Sequence, residues 1–126
     1  MTEIRAILFD MDGVMASVGN SYRKSIVLTA AHFGADVTYE DISVEKKLGN
    51  ANNDWILSQR LIERKTNVLH PIEEVTRVFE EIYQGTPGRA GLCETETLIT
   101  AKGLIEEVYR RCEGRIAVVT GRPRKD

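Results

Sequence analysis

The chain has 126 residues, of which 42% are hydrophobic and 29% charged, a composition typical of a globular domain rather than a disordered segment. Its formal net charge of −2 argues against a strongly basic nucleic-acid surface. No apolar run approaches the roughly 20 residues of a membrane span, and Asp10 and Asp12 interrupt the N-terminal apolar run too early for a signal peptide. We therefore expect a soluble, cytoplasmic protein that binds neither nucleic acid nor membrane.

The first predicted element is a strand over residues 4–9, a short apolar run flanked by charged residues. Such a run is typical of a strand buried on both faces, as in a parallel sheet. It ends at Asp10-Met11-Asp12-Gly13, where glycine permits a sharp backbone turn.

Helical periodicity dominates the next part of the chain, up to about residue 85. Four helices are predicted, over residues 20–33, 38–48, 54–65 and 72–83. Thr38 is a possible N-cap with Asp41 at the third helical position, and Asn52 or Asn53 can cap the third helix. This stretch is too long for a simple crossover between strands, so we interpret it as an inserted helical subdomain.

A second strand is predicted near the C-terminus. Residues 86–95 are expected to form a connection, and Thr97 or Thr100 to open a helix that Gly114 ends. The apolar run Ile116–Val119 then predicts a buried strand. Helix followed by strand indicates part of a parallel α/β unit.

The predicted fold class is therefore α/β, with a partial Rossmann-like parallel sheet and an inserted helical cap. We assign residues 1–17 and 86–126 to the sheet core and residues 18–85 to the cap.

Asp10 and Asp12 follow the first strand, at the sheet edge where open α/β sheets bind ligands. One carboxylate can attack phosphorus to form an aspartyl-phosphate, and the other can serve as general acid and then base. A divalent cation, most plausibly Mg²⁺, would offset the repulsion between these carboxylates and a phosphate. The alternative is an acidic turn that caps the next helix.

The second strand is followed by Thr120, Gly121 and Arg122. The hydroxyl of Thr120 and nearby backbone N–H groups can donate to a phosphoryl oxygen, and the guanidinium of Arg122 matches an oxyanion. Taken alone, this segment is more often a polar strand-to-helix turn. The acidic loop on the other strand favours a phosphate site.

Together the two motifs resemble those of the haloacid dehalogenase-like hydrolases with a helical cap. Phe9-Asp10-Met11-Asp12-Gly13-Val14 matches the first family motif and Val119-Thr120-Gly121 the second. The resemblance implies a phosphatase in which Asp10 is the nucleophile and a Mg²⁺ ligand. It also implies that Asp12 is the general acid/base and a metal ligand through its backbone carbonyl, and that Thr120 binds the phosphoryl group. Asn52-Asn53-Asp54-Trp55 and Thr120-Gly121-Arg122-Pro123-Arg124 further resemble a subset of the helical-cap members, described only as phosphatases.

The cap of such an enzyme is expected to present polar groups to the substrate. The densest polar cluster in the predicted cap surrounds Asn52 and Asn53, with Trp55 adding a flat face. We predict that Asn52 and Asn53 contact a small phosphorylated substrate. The alternative is a loop whose asparagines cap a helix, with Trp55 in the cap core.

The family's third motif, a lysine, and its fourth, an acidic pair, lie well beyond the second motif. The sequence stops at Asp126, and Lys125 is too early to be that lysine. We therefore expect weak metal binding and little or no turnover by this chain alone. A non-catalytic haloacid dehalogenase-like binding or regulatory module is the alternative, and exposed sheet edges predict a possible dimer.

Overall fold

The structure is a computed structural model that describes residue 3 and residues 5–123. Ile4, Lys125 and Asp126, which enter the predictions above, lie outside the described residues, as does Arg124. The helices are α1 (Tyr22–His32), α2 (Tyr39–Lys47), α3 (Asp54–Thr66), α4 (Ile72–Gln84) and α5 (Lys102–Arg111). The strands are β1 (Ile7–Asp10), β2 (Ala16–Ser17), β3 (Gly85–Thr86), β4 (Arg89–Ala90), β5 (Thr97–Leu98) and β6 (Ile116–Val119).

The chain divides into two compact units, and the fold is α/β as predicted. One unit, the sheet unit, comprises Met1–Val18 and Glu96–Asp126; the other, the helical unit, comprises Gly19–Thr95. Among the described residues, no helix has the length and apolar character to cross a membrane.

Two strands of the sheet unit run parallel. β1 pairs with β6 in the register Ile7↔Ile116 to Asp10↔Val119, so the carboxyl ends of both strands lie side by side. β2 pairs with β5 in an antiparallel arrangement, with Ala16 opposite Leu98 and Ser17 opposite Thr97. The sequence predicted the parallel pair, whereas β2 and β5 are too short to leave a periodic signal.

The helical unit has a core built from three helices. α1, α3 and α4 pack against one another, and each presents an apolar stripe to the others. The buried apolar cluster includes, from these three helices, Ile26, Ala30, Leu57, Leu61, Ile62, Val75, Phe79 and Tyr83. Tyr22 stacks on Tyr83 with ring centroids 4.6 Å apart and closes one side of this core.

The predicted caps of α2 and α3 are confirmed. The Thr38 hydroxyl accepts from the N–H of Asp41 at 3.2 Å, and the Asp41 carboxylate accepts from the N–H of Thr38 at 2.8 Å, which completes a capping box. The Asn53 side chain accepts from the N–H groups of Trp55 and Ile56.

The predicted helix start at Thr97 or Thr100 is wrong. Thr97 and Leu98 form β5, and α5 begins at Lys102. Pairing with β2 supplies hydrogen bonds that the local helical periodicity of Leu98 and Ala101 could not reveal.

The predicted connection over residues 86–95 has structure of its own. It contains the rest of the β3–β4 hairpin and a 3₁₀ turn at Leu92–Thr95 that packs on α1 and α4. These residues, which we assigned to the sheet core, therefore belong to the helical unit.

The expectation of strands buried on both faces is also wrong for this chain. Leu8 is 68% exposed and Val119 is 59% exposed. Because side chains alternate along a strand and Asp10 is opposite Val119, Leu8 and Val119 lie on the same face of the sheet. The apolar side chains on that face therefore remain largely exposed.

Candidate functional site

The carboxyl ends of β1 and β6 bring the two sequence motifs together. Asp10 is the last residue of β1, and its register partner is Val119, the last residue of β6. Thr120 therefore begins the loop beside the one that begins at Met11. The parallel pairing thus brings the two loops that carry the sequence motifs to one end of the sheet.

The loop after β1 is held in a tight turn by its own backbone. The N–H groups of Met15 and Ala16 both donate to the carbonyl oxygen of Met11 at 2.9 Å, and the N–H of Gly13 donates to that of Ala16 at 2.9 Å. Gly13 has a φ of +75°, a backbone conformation that residues with a Cβ rarely adopt. Its presence allows the chain to reverse directly after Asp12.

The Asp10 carboxylate is exposed and partly oriented by its neighbour. Its Oδ1 accepts from the N–H of Met11 at 2.8 Å. The other oxygen can face an incoming group, as a nucleophile requires.

The Asp12 carboxylate pairs with Arg122. Nε of Arg122 donates to Oδ1 of Asp12 at 2.7 Å, and Nη2 lies 2.6 Å from the same oxygen. Nη1 of Arg122 donates to Oε2 of Glu96 at 2.8 Å. The Arg122 side chain is only 8% exposed, so this guanidinium is largely dehydrated between two carboxylates.

Thr120 and Gly121, the other two predicted phosphate-binding residues, lie in the loop after β6. The hydroxyl oxygen of Thr120 accepts from the N–H of Arg122 at 3.2 Å, an interaction that orders the turn. The hydroxyl hydrogen can still donate to a ligand. Gly121 is in open space, since an added Cβ would meet nothing within 4 Å.

Asn52 and Asn53 belong to the helical unit, whereas the aspartates belong to the sheet unit. Asn53 is the N-cap of α3 and Asn52 is exposed. Trp55 packs against the helical core, and its Nε1 donates to Oε1 of Glu80 at 3.0 Å. These contacts give Asn53 and Trp55 structural roles; substrate contact by either asparagine stays a prediction.

Carboxylate and carbonyl oxygens, the ligands that Mg²⁺ prefers, are available at Asp10 and Asp12. No group of three or more His, Cys, Asp or Glu side chains suited to a metal ion occurs within residues 5–123. Mg²⁺ usually keeps several waters and needs only one or two protein carboxylates beside the substrate phosphate. The oxygen donors of Asp10 and Asp12 therefore fit Mg²⁺, but they are few.

Glu96 is the member of this site that sequence reasoning did not identify. It precedes β5, whose pairing with β2 brings it to the loop that follows β1. Its carboxylate is 14% exposed and pairs with Arg122, 26 residues later in the sequence. No local pattern signals such a contact.

One curated protein is closely similar in sequence, and no protein-family model matches the chain. A protein of Phytophthora nicotianae named imidazoleglycerol-phosphate dehydratase is 54% identical over 126 residues. The match covers 98% of this chain and 28% of that protein. The chain thus spans little more than a quarter of this relative.

Solved phosphatase structures share the fold. Phosphatase Tt82 from Thermococcus thioreducens matches with a TM-score of 0.73 and 24% identity, over 94% of this chain and 64% of that one. A predicted phosphoglycolate phosphatase from Haemophilus somnus 129PT matches with a TM-score of 0.73 and 21% identity, over 99% of this chain and 55% of that one. The chain therefore has the α/β fold of longer proteins that are described as phosphatases.

Proposed function

We propose that this chain carries the nucleophile and acid/base loop of a haloacid dehalogenase-like phosphatase that acts on a small phosphate monoester. The observation that supports the proposal is the arrangement of Asp10, Asp12 and Thr120 at the carboxyl edge of the parallel pair β1–β6. Ligands of open α/β sheets bind at this edge.

In the first step, an Oδ atom of Asp10 attacks phosphorus. A bond forms between that oxygen and phosphorus while the bond from phosphorus to the leaving oxygen breaks. Asp12, in its protonated form, gives its proton to the leaving oxygen. The Thr120 hydroxyl donates to a non-bridging phosphoryl oxygen, which stabilises the charge that spreads over these oxygens.

In the second step, a water molecule gives a proton to the Asp12 carboxylate and its oxygen attacks phosphorus. The bond between phosphorus and Asp10 breaks, which regenerates the free carboxylate and releases inorganic phosphate. Asp12 is protonated again for the next cycle, so one group serves both steps.

Mg²⁺ would be held by the Asp10 carboxylate and the backbone carbonyl of Asp12, and would supply positive charge that offsets the carboxylate–phosphate repulsion. With few ligands among the described residues, we expect weak binding of the metal and slow turnover by this chain. The first-step product is therefore a better readout than released phosphate.

The names of the similar proteins suggest the substrate class. The relative from Phytophthora nicotianae is named for a phosphate ester, imidazoleglycerol phosphate, and one solved structure for phosphoglycolate. We propose that the substrate is likewise a small organic phosphate monoester. The 54% identity also favours a second candidate, in which this segment takes part in the dehydration named for that relative.

The test is phosphorylation of Asp10. The chain is incubated with Mg²⁺ and acetyl phosphate, quenched in acid and examined by intact mass and peptide mapping. We expect one phosphoryl group on Asp10 in the wild type and none in Asp10→Asn. Thr120→Ala should slow the phosphorylation of Asp10 by about tenfold or more, whereas Thr120→Ser should keep the wild-type rate.

A chain that binds beryllium fluoride but gains no phosphoryl group would be a binding module. Dehydration of imidazoleglycerol phosphate by this chain, unaffected by Asp10→Asn, would favour the second candidate instead.

A further inference from the structure

Three separate segments of the sheet unit converge on one guanidinium. Asp12 comes from the loop after β1, Glu96 from the residue before β5, and Arg122 from the loop after β6. Asp12 and Arg122 are 110 residues apart in sequence, so the tertiary fold alone creates this contact. All three residues belong to one compact unit.

The geometry limits what Arg122 can do. Its Nε and Nη2 approach one oxygen of Asp12, while Nη1 is bonded to Glu96. One positive and two negative charges leave the trio with a net charge of −1. A phosphate dianion would therefore meet a guanidinium that is already neutralised, which disfavours direct substrate binding by Arg122.

The same contacts orient Asp12. Because its Oδ1 accepts from Nε of a buried, planar guanidinium and lies 2.6 Å from Nη2, the Asp12 carboxylate loses rotational freedom. Because Asp12 is 39% exposed and Glu96 14%, the carboxylate at the solvent side is Asp12. Its Oδ1 faces the guanidinium, which leaves Oδ2 as the oxygen that can exchange a proton.

We propose that Arg122 is a positioning residue for the acid/base carboxylate of Asp12, and that Glu96 holds Arg122 in place. This inference rests on the proposed phosphatase function. Glu96 fixes the guanidinium, the guanidinium fixes Oδ1 of Asp12, and Oδ2 of Asp12 is thereby held toward the leaving oxygen and later the water. Arg122 acts through Asp12 and touches neither phosphorus nor the leaving group.

The kinetic test uses acetyl phosphate, whose leaving group departs without protonation. With this substrate, Asp12 is needed mainly for the second step, so its loss should cause phosphorylated Asp10 to accumulate. We expect Arg122→Ala to lengthen the lifetime of phosphorylated Asp10 by about tenfold or more, in the manner of Asp12→Asn. The double variant Asp12→Asn/Arg122→Ala should lose the phosphoryl group from Asp10 no more slowly than Asp12→Asn alone. Arg122→Lys should recover part of the wild-type rate of this loss.

The matched variants separate positioning from substrate binding. Glu96→Gln should give a smaller increase in lifetime, and Arg110→Ala, on the exposed side of α5, should match the wild type. Slower formation of phosphorylated Asp10 in Arg122→Ala, with an unchanged lifetime, would overturn the proposal and make Arg122 a phosphate ligand.

A second measurement does not depend on activity or on the stability of an Arg122 variant. In ¹⁵N NMR spectra of the wild type, the Nε–H of Arg122 should exchange with water at least about tenfold more slowly than that of Arg110. Asp12→Asn should remove most of this protection. Equal exchange at Arg122 and Arg110 in the wild type would overturn the positioning role.

The two proposals fail in different ways. A protected Arg122 Nε–H without any phosphorylation of Asp10 would overturn the phosphatase function and the catalytic part of this inference with it. Phosphorylation of Asp10 with an unprotected Arg122 would overturn the positioning role alone.

Discussion

A guanidinium that is only 8% exposed has given up most of its hydration, so the carboxylates around it must replace the lost water contacts. Asp12 and Glu96 do so at Arg122, and their two negative charges outnumber its single positive charge. If Arg122 positions Asp12 as we propose, affinity for a phosphate group comes from other donors. At this edge of the sheet the Thr120 hydroxyl, the backbone N–H groups and a bound cation are the groups that can supply it.

Gly91 is the residue at which the backbone leaves least room. A Cβ added there would lie 2.3 Å from the carbonyl carbon of Gln84 and from the carbonyl oxygen of Tyr83. Since both neighbours are backbone atoms at the end of α4, Gly91→Ala should push the β3–β4 hairpin away from the helix. We expect a loss of about 1–3 kcal/mol in the free energy of unfolding, measured by urea denaturation with circular dichroism.

Gly19→Ala is the control for Gly91→Ala, because an added Cβ at Gly19 meets nothing within 4 Å and both residues belong to the helical unit. Its free energy of unfolding should stay within about 0.5 kcal/mol of the wild type. Equal urea midpoints for Gly91→Ala and the wild type would contradict the prediction.

At the scale of elements, α2 is attached to α3 by charge as much as by apolar contact. Three ion pairs join the two helices: Lys46–Asp54, Arg64–Glu45 and Lys65–Asp41. Ile42 supplies a fully buried apolar side chain from α2. This attachment should therefore depend on pH and on salt more than the packing of α1, α3 and α4 does.

The pKa of Asp41 is lower than its ordinary value of 3.8, first because its carboxylate accepts from the N–H of Thr38 and then because Lys65 lies beside it. A carboxylate whose pKa falls on folding stabilises the folded state fully above its unfolded-state pKa. That contribution is lost as the pH falls through the folded-state pKa. Asp41→Asn should therefore be less stable than the wild type at pH 7, and the difference should shrink below about pH 4.

Thermal unfolding of the wild type and Asp41→Asn at neutral and acidic pH checks this expectation. Lys65→Gln is the companion variant: it removes the ion pair but leaves the capping box, so most of the pH dependence should remain. A difference between wild type and Asp41→Asn that is the same at every pH would refute the assignment.

The elements that the sequence predicted well are those whose signal is local. The caps at Thr38 and Asn53 depend on residues within one helical turn, and the apolar stripe of α4 repeats over thirteen residues. β2 and β5 have two residues each, and their pairing joins segments about 80 residues apart, so no local pattern could predict them.

The same distinction applies to the site. The placement of Asp10, Asp12 and Thr120 was predictable because each lies at or just after the end of an apolar strand, and parallel strands end on the same side of the sheet. The partners of Arg122 could not be predicted, since a guanidinium binds a carboxylate as well as a phosphate. The tertiary contact between Glu96 and Arg122 is the observation that favours the carboxylate, and it cannot be read from local sequence.

At the scale of the whole molecule, the two units differ in how completely they bury their apolar residues. The helical unit encloses a core in which Ile26, Leu57, Val75 and Tyr83 have no exposed surface. In the sheet unit, large apolar side chains remain at the surface on β1, β5, α5 and β6, including Leu8, Leu98, Leu104 and Val119. Parallel sheets are ordinarily covered on both faces, so this unit presents an uncovered apolar surface.

We propose that copies of this chain associate through the exposed face of the β1–β6 sheet, because the apolar side chains of Leu8 and Val119 are largely exposed on it. The weight-average sedimentation coefficient should then rise with protein concentration. Leu8→Lys places a charge on this face and should lower the association constant by about tenfold or more, because the charge would be desolvated at the contact.

Leu69→Lys is the matched control, since Leu69 is 63% exposed against 68% for Leu8 but lies in the helical unit. It should associate as the wild type does, because the added charge is not on the β1–β6 face. Equal weakening by both lysine variants would point to a general effect of charge, and a wild-type monomer at every concentration would show that this face does not bind a second copy. Selective weakening by Leu8→Lys is the result that only contact through the sheet face explains, since the two substitutions add the same charge to side chains of the same type and nearly the same exposure.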